Sequence, residues 1–228
     1  MRLDTFLVEF SREKYGNGIT FVDIDETMFR TFAKILVMKD GSVIRELSNS
    51  EFNSYTLQPG ESFDFRQFRS AKIFKETSIP IQQTINRIKR MMSSIDGEDK
   101  GSMIVFLTAR ADFDDKEQFL DTFREYGINV DSKRVYVERT GNMSTGTVDE
   151  RKKKTMLKYM ATGKYRRVRL IDDYMENLKA LKDIERNVPE STLKKVATTY
   201  NLDMSKEKLP IISFYTLHVQ PDGSLRRV

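Results

Sequence analysis

The chain has 228 residues, enough for one large domain or for one domain that carries an inserted subdomain. It contains no cysteine, which excludes disulfides and thiolate metal sites and predicts a reducing, cytoplasmic location. Its 39 Lys and Arg against 34 Asp and Glu give a net charge of +5, too mild an excess to name an anionic partner by itself.

The opening stretch, MRLDTFLVEFSREK, has no long apolar run and carries acids early, so it reads as neither a signal peptide nor a membrane span. GITFVDID (18–25) predicts a buried strand opened by glycine. KILVMKDGSVIREL (34–47) predicts two strands around the Asp40-Gly41 hairpin signal. Residues 48–72 are polar and aromatic around Pro59-Gly60, which predicts a turn-rich, irregular segment. In 79–95, Ile81, Ile85, Ile88, Met92 and Ile95 share one helical face, with Pro80 in the first turn. SMIVFLTAR (102–110) predicts a second buried strand. A helix over 114–126 turns Phe119, Leu120 and Phe123 inward and closes at Gly127. RVYVER (134–139) predicts a third strand, 149–161 a helix, and RVRLIDD (167–173) a fourth strand followed by a helix through Leu178, Leu181 and Ile184. A last strand is expected over 209–219, with a turn at Pro221-Asp222-Gly223.

Strands that alternate with helices predict right-handed crossovers and an α/β fold, a mostly parallel sheet with helices on both faces. Ligands bind such sheets at the carboxyl ends of the strands. The polar residues that interrupt the apolar runs fall at those ends. Asp23 and Asp25 end the first strand, Thr108 the second, and Asp172 and Asp173 the fourth. This set suits phosphoryl transfer. Carboxylates crowded in one pocket repel each other unless a hard divalent cation such as Mg²⁺ sits among them. One carboxylate can attack phosphorus. A second can protonate the leaving oxygen and later activate water. A hydroxyl and a lysine can hold the phosphoryl oxygens. Two other classes compete. A Mg²⁺-dependent nuclease or nucleotidyltransferase explains the carboxylates but neither Thr108 nor a lysine at a helix start. A non-catalytic nucleic-acid-binding module explains none of the filled positions.

DIDET, FLTAR, a lysine at a helix start and IDDYMEN occur in that order within residues 19–178. They resemble the four motifs of the haloacid dehalogenase superfamily, in its phosphatase branch, which carries the second aspartate that the dehalogenases lack. The resemblance implies a Rossmann-like parallel sheet with a small cap inserted after the first strand. It also implies a Mg²⁺-dependent phosphomonoesterase working through an aspartyl-phosphate. Carried over, Asp23 is the nucleophile, and Asp25 is the general acid/base with its main-chain carbonyl facing the metal. Thr108 binds the phosphoryl group. Asp172 ligates Mg²⁺, with Asp173 as a further ligand or its partner, so the metal set is Asp23, Asp25, Asp172 and Asp173. Thr27 supports the loop, and Thr27, Arg110, Lys152 and Asn177 are expected on the substrate side, Arg110 alternatively pairing with a helix acid. Lys152, Lys153 and Lys154 point about 100° apart on a helix, so one of them faces the sheet. With Met156, Leu157 and Met160 as the inward residues, Lys153 lies one turn before Leu157 and is the expected catalytic lysine, with Lys152 second.

Asp23 and Thr108 are 85 positions apart, far more than one crossover helix needs. The excess, residues 30–78, resembles a small cap within a single domain of residues 1–228, its hairpin a lid that excludes water and reads the leaving group. The aromatics of 52–74 are expected as the core of that cap, and the lone His218 as structural. The phosphorylated substrate stays open among proteins, small molecules, nucleotides and nucleic-acid ends. Nine Lys and Arg, and no acid, lie between Arg151 and Ile171. Part of that run is expected to border the active-site mouth, where it would meet a phosphate backbone.

Overall fold

A computed structural model describes residues 16–52, 54–97, 101–207 and 209–228. The first strand, β1 (Gly18–Val22), is followed by the short β2 (Phe29–Arg30). An inserted lobe then holds β3 (Ile35–Lys39), β4 (Ser42–Leu47), α1 (Asn49–Phe52), β5 (Glu61–Asp64), α2 (Arg66–Arg69) and α3 (Ala71–Thr77). The chain returns through β6 (Ile79–Pro80), which pairs antiparallel with β2. From there strands and helices alternate: α4 (Gln82–Gly97), β7 (Met103–Thr108), α5 (Lys116–Glu125), β8 (Val135–Arg139), α6 (Val148–Met160) and β9 (Arg167–Asp172). The last elements are α7 (Met175–Arg186), α8 (Glu190–Thr199), β10 (Ser213–Val219) and β11 (Leu225–Arg227).

The main sheet has the order β11-β10-β9-β1-β7-β8, parallel throughout except for β11. From β1 the chain crosses one way to β7 and β8, then returns past β1 to build β9 and β10 on its other side. The order therefore reverses between β1 and β9, and a crevice opens there at the carboxyl ends of the strands. Helices cover both faces. On one, Val22, Ile104, Phe106, Ile171 and Leu217 pack with Phe74, Ile85, Ile88, Phe119 and Phe123. On the other, Phe21, Val105, Leu107 and Leu170 pack with Met156, Met160, Leu178, Leu181 and Val196. A strand buried on both faces needs a continuous apolar run, which is why GITFV does not alternate. The architecture is α/β and Rossmann-like, as expected. No helix of the described residues is long and apolar enough to cross a membrane.

The inserted lobe is a three-stranded antiparallel sheet, β4-β3-β5. Its own small core joins Ile35, Val37 and Leu47 to Phe52, Tyr55, Phe63 and Phe68. Asp40 (φ 50°) and Gly41 (φ 78°) make the hairpin turn, both in the left-handed region that this turn type demands. Three details depart from the sequence reading. The segment 48–72 is not irregular: ESFD becomes β5 by pairing with β3, although its two acids argue against a strand. Pro80 lies in β6 rather than in the first helical turn, so α4 starts two residues later. Helix α8, which buries only Thr192, Val196 and Ala197, carries too thin an apolar face to be read in advance.

Candidate active site

Residues just past the strand ends line the crevice. Val22 pairs with Ile171, and the Asp23 amide donates to the Ile171 carbonyl (2.9 Å). The next residue on each chain segment is a carboxylate, Asp23 on one and Asp172 on the other. On the far side of β1, Val22 pairs with Phe106, so Thr108 ends β7 at the same edge of the sheet. All three side chains are buried.

Lys152 reaches this edge from α6. A capping box starts that helix: the Glu150 amide donates to Thr147 Oγ1 (3.4 Å), and the Thr147 amide donates to Glu150 Oε2 (2.8 Å). Lys152, Met156 and Met160 then recur every four residues on the buried side. Lys152, 1% exposed, donates from Nζ to Asp23 Oδ1 (2.6 Å) and Asp172 Oδ2 (2.9 Å). The choice of Lys153 is thereby corrected. Lys153 pairs with Asp183 of α7 at the surface, because the inward stripe runs through Met156 and not through the half-buried Leu157. Thr147→Ala should remove the cap and cost about 1 kcal/mol of stability in denaturant unfolding. A cost below a few tenths would mean that packing alone positions α6.

Other residues brace the carboxylates. Asn177 Nδ2 donates to both oxygens of Asp172 (2.9 and 3.0 Å), and the Tyr174 amide donates to Oδ1 (2.9 Å). After β1 the chain makes a tight turn, with the Met28 and Phe29 amides both on the Ile24 carbonyl and Glu26 at φ 56°. Thr27, fully buried in that turn, accepts from the Asp173 amide (3.0 Å) and donates to Asp173 Oδ1 (3.0 Å). Just past β10, Gln220 donates to His218 Nδ1 (2.7 Å), so Nε2 carries the proton and donates to the Asp173 carbonyl (2.8 Å). Of the four residues expected on the substrate side, Thr27, Lys152 and Asn177 therefore hold carboxylates in place.

Arg110, the fourth, does the same for Asp25. Its Nε (3.1 and 3.0 Å) and Nη2 (2.6 Å) grip the Asp25 carboxylate, which also accepts from Thr31 Oγ1 (2.7 Å). Arg110 Nη1 donates to the Phe68 carbonyl (2.9 Å), and its guanidinium lies 4.4 Å from the centre of the Phe68 ring. Asp25 is thus tied through Arg110 to the inserted lobe. The loop that carries Arg110 is clamped in turn. Its amide donates to Thr108 Oγ1 (3.1 Å), Thr140 Oγ1 donates to the Thr108 carbonyl (3.0 Å), and the Gly141 amide donates to the Arg110 carbonyl (3.2 Å). A Cβ on Gly141 would fall within 2.5 Å of the Ala109, Arg110 and Ala111 backbone, so only glycine fits. Thr31, Phe68, Thr140 and Gly141 escaped the sequence reading. The one signal was Thr140-Gly141, small residues directly after β8.

The basic run does not gather at this mouth. Lys152 enters the cluster, whereas Arg166, Arg167 and Arg169 stand at the start of β9, the opposite edge of the sheet. A parallel strand carries its two ends to opposite edges, so a run that ends in a strand is split.

Carboxylate oxygens of Asp23, Asp172 and Asp173 lie within 4.8 Å of one another. Burial pushes Asp23 well above the usual carboxylate range; Lys152 opposes this, and Asp172, Asp173 and Asp25 add to it. Burial and then the Asp172 charge push Asp173 up to about 7, against the Thr27 hydrogen bond and Lys152. Burial disfavours the charge on Lys152, but Asp172 and Asp23 outweigh it and raise that lysine above its ordinary value. Burial would also raise Asp25, yet the Arg110 charge and hydrogen bonds hold it below the ordinary carboxylate value. One lysine does not balance three carboxylates, and the buried Asn177 Oδ1 has no hydrogen-bond partner among the described residues. An oxygen-donor set short of positive charge fits a hard divalent cation. Asp23, Asp172 and Asp173 could hold one. No family model, curated protein or solved structure matches the chain.

Proposed function

We propose that this protein is a Mg²⁺-dependent phosphomonoester hydrolase of the haloacid dehalogenase type, working through an aspartyl-phosphate on Asp23. The observation that carries this reading is the meeting of Asp23, Asp172, Asp173 and Lys152 at the carboxyl ends of β1 and β9. The order of DIDET, FLTAR and IDDYMEN supports it, with Lys152 in the role of the motif lysine.

In the first half-reaction an Asp23 oxygen attacks phosphorus and the bond to the leaving oxygen breaks. The electron pair leaves with that oxygen, which takes a proton from Asp25. In the second, a water oxygen attacks phosphorus and gives its proton to Asp25, and Asp23 is released as a carboxylate. The grip of Arg110 keeps Asp25 ionised, the state that accepts this proton. Donation in the first half therefore requires Asp25 to be protonated and freed from Arg110. Lys152 holds Asp23 toward the substrate, and the Thr108 hydroxyl meets a phosphoryl oxygen. Bound by Asp23, Asp172 and Asp173, Mg²⁺ would neutralise the phosphoryl charge. The lobe carried on β2 and β6 acts as the cap over the leaving group and shields the site from water.

The test is phosphate release from a panel that holds a sugar phosphate, a nucleotide, a phosphopeptide and a phosphorylated oligonucleotide, with Mg²⁺ and with excess chelator. Turnover should require Mg²⁺. Asp172→Ala should raise the Mg²⁺ concentration for half activity at least about tenfold. Full turnover in chelator would sink the metal-dependent reading.

A further inference from the structure

Helix α6 leaves the candidate active site at Lys152 and packs beside β8, the last strand on its side of the main sheet. At 100° per residue, Arg151, Lys154 and Lys158 fall within about 60° of one another on that helix. Their sector lies between open solvent and Tyr159, whose hydroxyl donates to Glu138 of β8 (2.7 Å). Lys154 stands about 5 Å and Lys158 about 10 Å along the helix axis from Arg151. Tyr136 shares a face of β8 with Glu138, because residues two apart on a strand do. Tyr136 is 48% exposed, at the open edge of the sheet and on the face that α6 covers.

This row of cations has no counter-charge among the described residues. From Arg151 to Ile171 the chain holds no acid. The acids just before and beside the row are engaged: Asp149 accepts from Thr147 Oγ1 (2.5 Å), Glu150 closes the capping box, and Glu138 holds Tyr159. Lys154 and Lys158 are exposed and meet no carboxylate among the described residues. Arg151 is half-buried. Its Nη1 donates to the Met143 carbonyl (3.3 Å), and its Nε is buried with no hydrogen-bond partner among the described residues. Across the helix, by contrast, Lys153 meets Asp183 of α7. A line of cations beside an exposed ring matches a polymer of phosphates that carries planar bases. An acidic peptide would answer the charge but leave Tyr136 unused.

We infer that this flank of α6 binds single-stranded nucleic acid, with the phosphate backbone along Arg151, Lys154 and Lys158 and a base stacked on Tyr136. A single strand is the form whose bases are free to stack. Arg151 directly precedes Lys152, so the row begins at the carboxylate cluster. On the phosphomonoesterase reading, on which this last step rests, the strand is the substrate and its terminal phosphate meets Asp23.

The test is fluorescence anisotropy of the full chain with a labelled single-stranded oligonucleotide that carries no terminal phosphate, so binding is read without turnover. Affinity should fall about 20-fold between about 50 and 200 mM salt, the slope near −2 that three phosphate contacts give on a single strand. Lys154→Glu with Lys158→Glu should weaken binding at least about tenfold at the lower salt and bring the slope near −0.7. Tyr136→Ala should weaken it about fivefold or more. Hydrolysis of a small sugar phosphate by these variants should be unchanged. An unaltered protein that does not bind the strand overturns the inference. So does an equal loss when Lys72 and Lys206, both exposed elsewhere, are reversed instead. Tighter binding of a duplex, or of polyglutamate at equal charge, with Tyr136→Ala harmless, assigns another polyanion and overturns it too. The link to the substrate is read separately, from kcat/KM on a terminally phosphorylated oligonucleotide against a nucleoside monophosphate. The double variant should cut the advantage of the oligonucleotide at least about fivefold. An unchanged ratio overturns the link. Absent turnover on every phosphomonoester overturns the phosphomonoesterase reading and leaves the binding result to decide the surface.

Discussion

Asp23→Asn should lower turnover on the order of 10⁴–10⁶-fold, the loss typical when a covalent nucleophile is removed from a working set. Asparagine keeps the shape of the side chain, so the deficit measures chemistry. The neutral amide is a poor nucleophile toward phosphorus and cannot form the acyl-phosphate. The fold should survive, because Lys152 keeps its bond to Asp172 and because burial already disfavours the Asp23 charge. A melting curve near that of the unaltered protein, together with absent turnover, is the expected pair of results. In a single-turnover experiment with labelled phosphomonoester, the unaltered protein should carry acid-stable label on Asp23 and the variant none. Label on any other residue, or turnover within tenfold of the original, would defeat the assignment of Asp23.

Lys152→Met should cost about 3–5 kcal/mol of stability, the usual effect of removing one partner from a buried ion cluster. Methionine replaces most of the apolar stem, so little of the loss comes from a cavity. What remains is a set of buried carboxylates with no cation among them. The charges lead to two further expected results. Mg²⁺ should restore part of the lost stability, because it binds the folded state alone. Stability should also rise as the pH falls. Asp23 has a raised pKa in the folded protein, so the folded state binds its proton more tightly than the unfolded chain does. Lys153→Ala, at an exposed pair with Asp183, should cost less than about 1 kcal/mol. Urea unfolding of both variants decides the matter: a greater loss at Lys153 than at Lys152 would reverse the assignment.

How much of the site was legible depended on the range of the interaction. The strand ends were legible because an apolar run that stops at a carboxylate marks the edge of a sheet. Asp23, Thr108 and Asp172 could be placed on one edge from their own neighbours in sequence. The lysine was misread because helical phase is coarse: one residue is 100° of rotation, and Leu157 looked as suitable an anchor as Met156. The Arg110–Asp25 pair spans 85 positions, and nothing local distinguishes an arginine that meets substrate from one that meets a carboxylate. Gly141 was illegible for a similar reason, since its constraint is the backbone of another loop. The charged run 151–169 was legible only in part: it does send Lys152 into the site, but composition records charge without direction, and β9 carries other members of the run to the far edge.

The strand order also sets a timetable for synthesis. β1 is made first among the strands of the main sheet, yet it ends between two later arrivals. Its partners on one side begin at Met103, and on the other at Arg167. At translation rates of about 5–20 residues per second, the stretch GITFV waits roughly 7–30 s for β9. During that wait it is an apolar strand with two open edges, the kind of segment that pairs with a neighbouring chain. Asp23 and Asp25 come directly after it. Before any site exists, they are the charges that break the apolar run and keep the nascent strand from pairing with its copies.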